Sequence, residues 1–359
     1  MLYENNILKS PKDIIKKFDG RCPECNRKLS FEAKAIARAR ALSLNLSRHV
    51  QRCESLFKHN NDHSGRMTFS IVAIDKENEE TGFAISSCCW DSGQVGRADA
   101  GIGSIVSQAR GYMLLRDRFF EKLGEGMSLD EVLEHFREID EDIEHRQLGM
   151  ITLDGDALSF TGKECSHWAG HKVGEDYACQ GNILVGHEVV ERMTEAFTAT
   201  QGTLYDKLCA ALEAGDDAGG DARGKQSARL MVVKKRSGND VVVDISVEDH
   251  VEPVKELGRI LRVGKDVLQG YTLLTELDQA TGKEKRVALE KVERFLEPRQ
   301  DRAFIDMWMT LGHAQIEMGL TDKAISTFKK YLEISPKMID SFRELIKKGE
   351  LPEAIIKRY

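Results

Sequence analysis

Hydrophobic and polar positions change period several times along this chain, and each change marks an element. In TFSIVAID, 68–75, Phe69, Ile71 and Ala73 alternate with Ser70, Val72 and Ile74. A period of two in a run rich in β-branched residues predicts a strand. A second strand follows the charged turn KENEE, in TGFAISSCCW, and a third lies in AGIGSIVSQA. The pattern then turns helical through GYMLLRDRFFEKLGEG and MSLDEVLEHFREID, where Ser128 and Glu131 have the spacing of a capping box. Strands return in QLGMITLDGDALSFTG, with Asp154-Gly155 as the hairpin signal. The stretch ECSHWAGHKVGEDYACQGNIL reads as a loop, and 187–214 as one long helix. After the turn GDDAGGDARG, SARLMVVKK and DVVVDISV read as closing strands. Strands, helices, strands, helix, strands is a layered α+β order.

Residues 1–66 and 259–359 follow other rules. The first 66 residues hold 14 Lys+Arg against 7 Asp+Glu, while the whole chain carries −7, so the remainder sums to −14. A basic head thus precedes an acidic body. Within the head, Cys22 and Cys25 form a C-x-x-C, and His49 and Cys53 are spaced to share a helix face. Three thiolates and one imidazole suit a closed tetrahedral zinc site, and zinc would supply much of the folding energy of so small a unit. The expectation is therefore an α-rich head holding structural zinc, followed by a polar linker. Lys34, Arg38, Arg40, Arg48 and Arg52 could present a basic face to nucleic acid. The near absence of aromatic residues for base stacking argues instead for a solvated surface. At the other end, MWMTLGHAQIEMGLTDKAISTFKKYLEISP resembles one tetratricopeptide repeat: Trp308, Leu311, Gly312, Ala324, Phe328 and Pro336 fit, whereas Gln315 stands where the pattern prefers Tyr. The resemblance implies a helical tail over 259–359. Its competing readings are a protein-partner groove and a packing appendage.

The chain of 359 residues is long enough for several domains, and its 41% hydrophobic content fits a globular protein. No apolar run reaches the ~18 residues of a membrane span, and the first residues lack the apolar core of a signal peptide. Eight cysteines, neither dense nor regular, fit no disulfide framework, so the expected compartment is the cytoplasm. Cys88, Cys89, Cys165, Cys179 and Cys209 read as packing residues.

TFSIVAID, RQLGM at 146–150, TGKECSHWAGHKVGEDYACQGNIL, GGDARGKQSARL and VEDHVEPVKEL together resemble the domain of unknown function 1028 family. The motifs span nearly all of 67–258. The family is placed among N-terminal-nucleophile hydrolases, which implies a four-layer αββα sandwich, amide-bond hydrolysis and assembly into homo-oligomers. It implies Thr68 as nucleophile, with its own α-amine as the base that accepts the hydroxyl proton. That amine would titrate near ~7.7–8.0, close to neutral pH. The departure is the head: Thr68 follows Met67, and an amide nitrogen has no basic lone pair. Three routes stay open: cleavage between Met67 and Thr68, a product starting at Met67, or a non-catalytic ligand-binding or adaptor protein. A second departure is the stretch AGIGSIVSQARG, where such enzymes place a lysine and this chain has only Arg110. Ser86, His171, Glu175, Gln180, Asn182, Asp221, Arg223 and Gln226 are the candidate contacts for an unknown small molecule or peptide. Their glycine-rich turns let a ligand approach the backbone, and Arg223 beside Asp221 could grip a carboxylate. The bland alternative for that pair is a structural ion pair. Asp249-His250 resembles a dyad by letters only.

Overall fold

The computed structural model describes residues 68–236 and 240–357, which belong to one compact unit, Ser64–Tyr359. Cys22, Cys25, His49 and Cys53, and with them the zinc head, lie outside the described residues. The fold is mixed α and β, with two antiparallel sheets. The larger uses β1 (Thr68–Asp75), β2 (Glu80–Ser87), β7 (Trp168–Gly174), β8 (Tyr177–Leu184), β9 (Ser227–Lys234) and β10 (Val241–Val247), in the order β10-β9-β2-β1-β8-β7. The smaller uses β3 (Gly96–Asp99), β4 (Gly103–Ala109), β5 (Arg146–Thr152) and β6 (Ala157–Thr161), in that order.

Alternation along the central strands divides the core. Phe69, Ile71 and Ala73 of β1 pack with Cys179 of β8 and Leu230 of β9 against α3 (Glu188–Ala199), α4 (Leu204–Asp217) and the start of α5 (Pro253–Gln279). Ile105, Leu148 and Met150 of the smaller sheet pack against α1 (Met113–Gly124) and α2 (Leu129–Ile139). The opposite faces meet each other: Val72, Ile74, Phe83 and Ile85 enclose a cluster with Val106 and Ile151. Each such side chain, once buried, contributes about 1.5–3 kcal/mol of transfer free energy.

Two expectations change on this scaffold. The stretch 164–184, read as a loop, carries the hairpin of β7 and β8. Its polar residues obscured the alternation, yet β8 is buried throughout because both of its faces are covered. The helix expected over 187–214 is two helices. Gly202 adopts φ 123°, and Thr203 caps α4, its hydroxyl accepting from the Asp206 amide. A capping box of this kind starts a new helix where propensity alone would continue the old one. The capping box at Ser128 is present as expected, with Glu131 reaching back to the Ser128 amide.

The boundary expected at 258 falls inside α5, a continuous 27-residue helix. Its first half covers the larger sheet through Val254, Leu257 and Leu261. Its end, Leu277, joins a separate core with α6 (Gly282–Leu296), α7 (Ile305–Glu317), α8 (Thr321–Ile334) and α9 (Ile339–Lys347). Gly312 lies against the Phe328 ring, so close that a Cβ there would overlap it. Among the described residues no helix is long and apolar enough to cross a membrane.

Candidate functional site

The two sheets also enclose a polar region, and Thr68 opens it. Thr68 pairs with Ser87 on one side and Asn182 on the other. By strand alternation its side chain shares the inter-sheet face with Ser70, Val72 and Ile74. Facing strands repeat the same gradient. On β8 the series is Ala178, Gln180, Asn182; on β4 it is Ser104, Val106, Gln108; on β5 it is Ile151, Gly149, Gln147. In each, the last member lies toward Thr68.

Side-chain amides and hydroxyls interlock there. Gln180 Nε2 donates to Ser70 Oγ at 2.7 Å, and Ser70 Oγ donates to Gln108 Oε1 at 2.7 Å. Gln108 Nε2 donates to Gln147 Oε1 at 2.8 Å and to the Thr68 carbonyl at 3.2 Å. Asn182 Nδ2 reaches the same two acceptors, Gln147 Oε1 at 2.9 Å and Thr68 O at 3.5 Å. Gln147 Nε2 faces Thr161 Oγ1 at 2.9 Å and the carbonyls of Gly181 at 2.8 Å and Gly170 at 3.1 Å. Ser70, Gln108, Gln147, Gln180 and Asn182 are all buried. Buried amides persist only when paired, and this set pairs almost entirely within itself. Gly149 makes the room: a Cβ there would lie 2.3 Å from Gln180 Oε1. At the outer end Thr161 Oγ1 meets His171 Nδ1 at 2.8 Å. Desolvation lowers the His171 pKa, which favours a neutral ring accepting at Nδ1 from the hydroxyl.

A second group gathers at the same edge of the larger sheet. Asp221 bridges to Leu184 at the end of β8, and its carboxylate accepts from the Cys88 amide at 3.1 Å. Arg223 wraps the same carboxylate, with Nε 3.2 Å from Oδ1 and Nη2 3.1 Å from Oδ2. The pair is thus an internal clasp joining the ends of β2 and β8 to the turn before β9. Gln226 continues it, with its amide N–H on the Ser87 carbonyl and its side chain on Asp249. His250 Nδ1 instead accepts from the Glu252 amide, so the Asp249 and His250 side chains have different partners.

The candidate residues therefore separate. Gln180 and Asn182 join the inter-sheet network beside Thr68, and His171 meets its outer end. Asp221, Arg223 and Gln226 brace the edge. Ser86 is buried with its hydroxyl donating to the Ser227 carbonyl at 3.1 Å. By alternation it faces the helices, and Ser87 is the residue opposite Thr68. Glu175 lies in the turn between β7 and β8, at the far end of the sheet. Sequence reasoning missed Gln108, Gln147 and Thr161. The available signal was a polar residue recurring on the inward parity of four strands. Arg110 lies beyond the end of β4 and is exposed, whereas Gln108 of that strand reaches Thr68.

Four of the thiols are held protonated. Burial, with the Asp221 carboxylate nearby, pushes the Cys88 thiol up to about 12, and burial takes Cys165 to about 11 and Cys179 and Cys209 to about 12. Such thiols are almost wholly protonated at neutral pH and make poor nucleophiles. Among the described residues no three His, Cys, Asp or Glu side chains are grouped to hold a metal.

Fold and site together define a class: an α+β protein with a buried threonine at the end of a polar inter-sheet region. Residues 68–257 match the family model described as a family of unknown function (DUF1028), and the chain belongs to that family. The crystal structure of protein SPO2555 from Silicibacter pomeroyi, assigned to the same family model, is similar at TM-score 0.51 and 29% identity. The similarity covers 55% of this chain and 85% of that one. No curated protein matches the chain.

Proposed function

We propose that residues 68–257 form an N-terminal-nucleophile hydrolase of the four-layer αββα type, with Thr68 as the nucleophile once its α-amine is free. The observation that carries this reading is the grip on Thr68 itself. Its carbonyl oxygen is held by Gln108 from the smaller sheet and Asn182 from the larger, at the first residue of a central strand. Holding the backbone on both sides fixes where the amine and hydroxyl of that residue can point, and such preorganisation is what nucleophilic attack requires.

The chemistry then needs one residue. The α-amine takes the proton from Thr68 Oγ1 as that oxygen attacks an amide carbonyl. The proton passes to the departing amine, leaving an ester on Oγ1. Water, deprotonated by the same α-amine, hydrolyses the ester and restores the hydroxyl. Gln108 and Asn182 act as positioning residues. The Asp221–Arg223 clasp holds the edge where the substrate would enter. In the uncut chain Thr68 is 1% exposed and lacks the amine. That burial supports a second reading, a folded ligand-binding or adaptor protein in which Thr68 is an ordinary strand residue.

A β-lactone electrophile, which acylates activated hydroxyls, separates the two. We expect a covalent adduct on Thr68 in protein whose chain begins at Thr68, and its loss in Thr68→Ala. Absence of an adduct on that trimmed chain, shown folded by circular dichroism, would favour the binding protein.

A further inference from the structure

A cavity lies outside the inter-sheet region, in the helical tail. It holds about 760 Å³ between α6 on one side and α7 and α8 on the other. That volume is within the usual range for small-ligand sites, about 300–1,000 Å³. Gln315 lines it and is 2% exposed. Its Nε2 donates to Glu293 Oε1 at 2.9 Å. The carboxylate fixes the amide orientation, because turning the group over would set two oxygens against each other. Gln315 Oε1 is thereby left buried with no hydrogen-bond partner among the described residues. An unpaired buried acceptor is destabilising until a donor reaches it. This residue also stands where the tetratricopeptide pattern carries Tyr, so the orphan acceptor belongs to this chain.

The wall supplies a charge bias. Four carboxylates, Glu290, Glu293, Glu297 and Asp322, line the cavity against Arg294, Lys323 and Lys330. Lys323 is already occupied, with Nζ 2.8 and 3.0 Å from the two Glu293 oxygens. Lys330 rests over the Trp308 ring at 5.1 Å. Glu290, Glu297 and Asp322 remain exposed at the rim. The wall as a whole is net negative by one charge, and its unmet need is for a donor. Trp308 and Leu311 stand behind the wall, both almost fully buried.

We propose that this cavity binds an alkylammonium group, whose N–H donates to Gln315 Oε1 while the rim carboxylates of Glu290, Glu297 and Asp322 balance its charge. Such a group comes from a free polyamine or from a lysine side chain on a peptide. Titration calorimetry on the full chain distinguishes the sources, with spermidine in one arm and an N-acetylated lysine-rich peptide in the other. A glutamate-rich peptide of equal length serves as control. The expected result is saturable binding in at least one cationic arm, none with the control, and at least a tenfold loss in Gln315→Met. A double change at the exposed rim, Glu290→Gln with Glu297→Gln, leaves the core intact and should weaken binding several-fold at low salt only. Heat in neither cationic arm, equal binding of the control, or wild-type affinity in both variants would overturn the proposal.

Discussion

The space between the sheets has two halves that share β1, β4 and β5, and they hold together by different physics. At one end Val72, Ile74, Phe83, Ile85, Val106 and Ile151 make a dry cluster. At the other, Ser70, Gln108, Gln147, Gln180 and Asn182 exchange hydrogen bonds. Nondirectional packing tolerates approximate shapes, whereas a buried amide network needs every donor aimed at an acceptor. A protein that required only stability would gain nothing from placing five buried polar side chains beside Thr68. The difference between the halves is the main reason to place a function at that end.

The comparison breaks most severely at its hubs. Phe83→Ala in the dry half should cost about 3–5 kcal/mol in urea unfolding. Gln147→Leu should cost about 3 kcal/mol, because the Gln108 and Asn182 amides each lose one of two acceptors and the Gly181 carbonyl loses a donor. If Gln147→Leu proved neutral, the polar half would be no more demanding than a hydrophobic core. Gly149→Ala is subtler. Its new methyl displaces Gln180 Oε1, and a cost of about 1–3 kcal/mol is expected. Hydrogen exchange at the Ser70 and Asn182 amides should quicken more than at Val72, which would localise the damage to the polar half.

The smallest effect is a pH dependence. His171 carries a lowered pKa in the fold, so the unfolded chain binds the proton more readily. Stability from this group is complete above the ordinary histidine value of 6.5 and is lost as pH falls through that value toward the lowered one. Urea midpoints of wild type should therefore decline slightly below pH 6.5, and His171→Gln should flatten that decline. A decline of equal size in the variant would show that the ring does not report on the network.

Much of this was legible in the chain. Alternation placed β1, and the Ser128 capping box marked the start of α2, because both signals are local. Gln180 and Asn182 stood out as polar residues among glycines. Gln108 and Gln147 did not, since each is one polar letter in an apolar strand. Their meaning comes from meeting across two sheets, which no local pattern encodes. That Ser87 and not Ser86 stands opposite Thr68 depends on a register that only pairing reveals. The hairpin of β7 and β8 was hidden by a strand with polar residues at its exposed positions.

The central claim is that a free amine arises on Thr68. N-terminal sequencing of the purified protein in a state that turns over an amide substrate tests it directly. The account predicts a chain starting at Thr68, with Thr68→Ala inactive. Turnover by a chain still joined through Met67, or undiminished in Thr68→Ala, would contradict it.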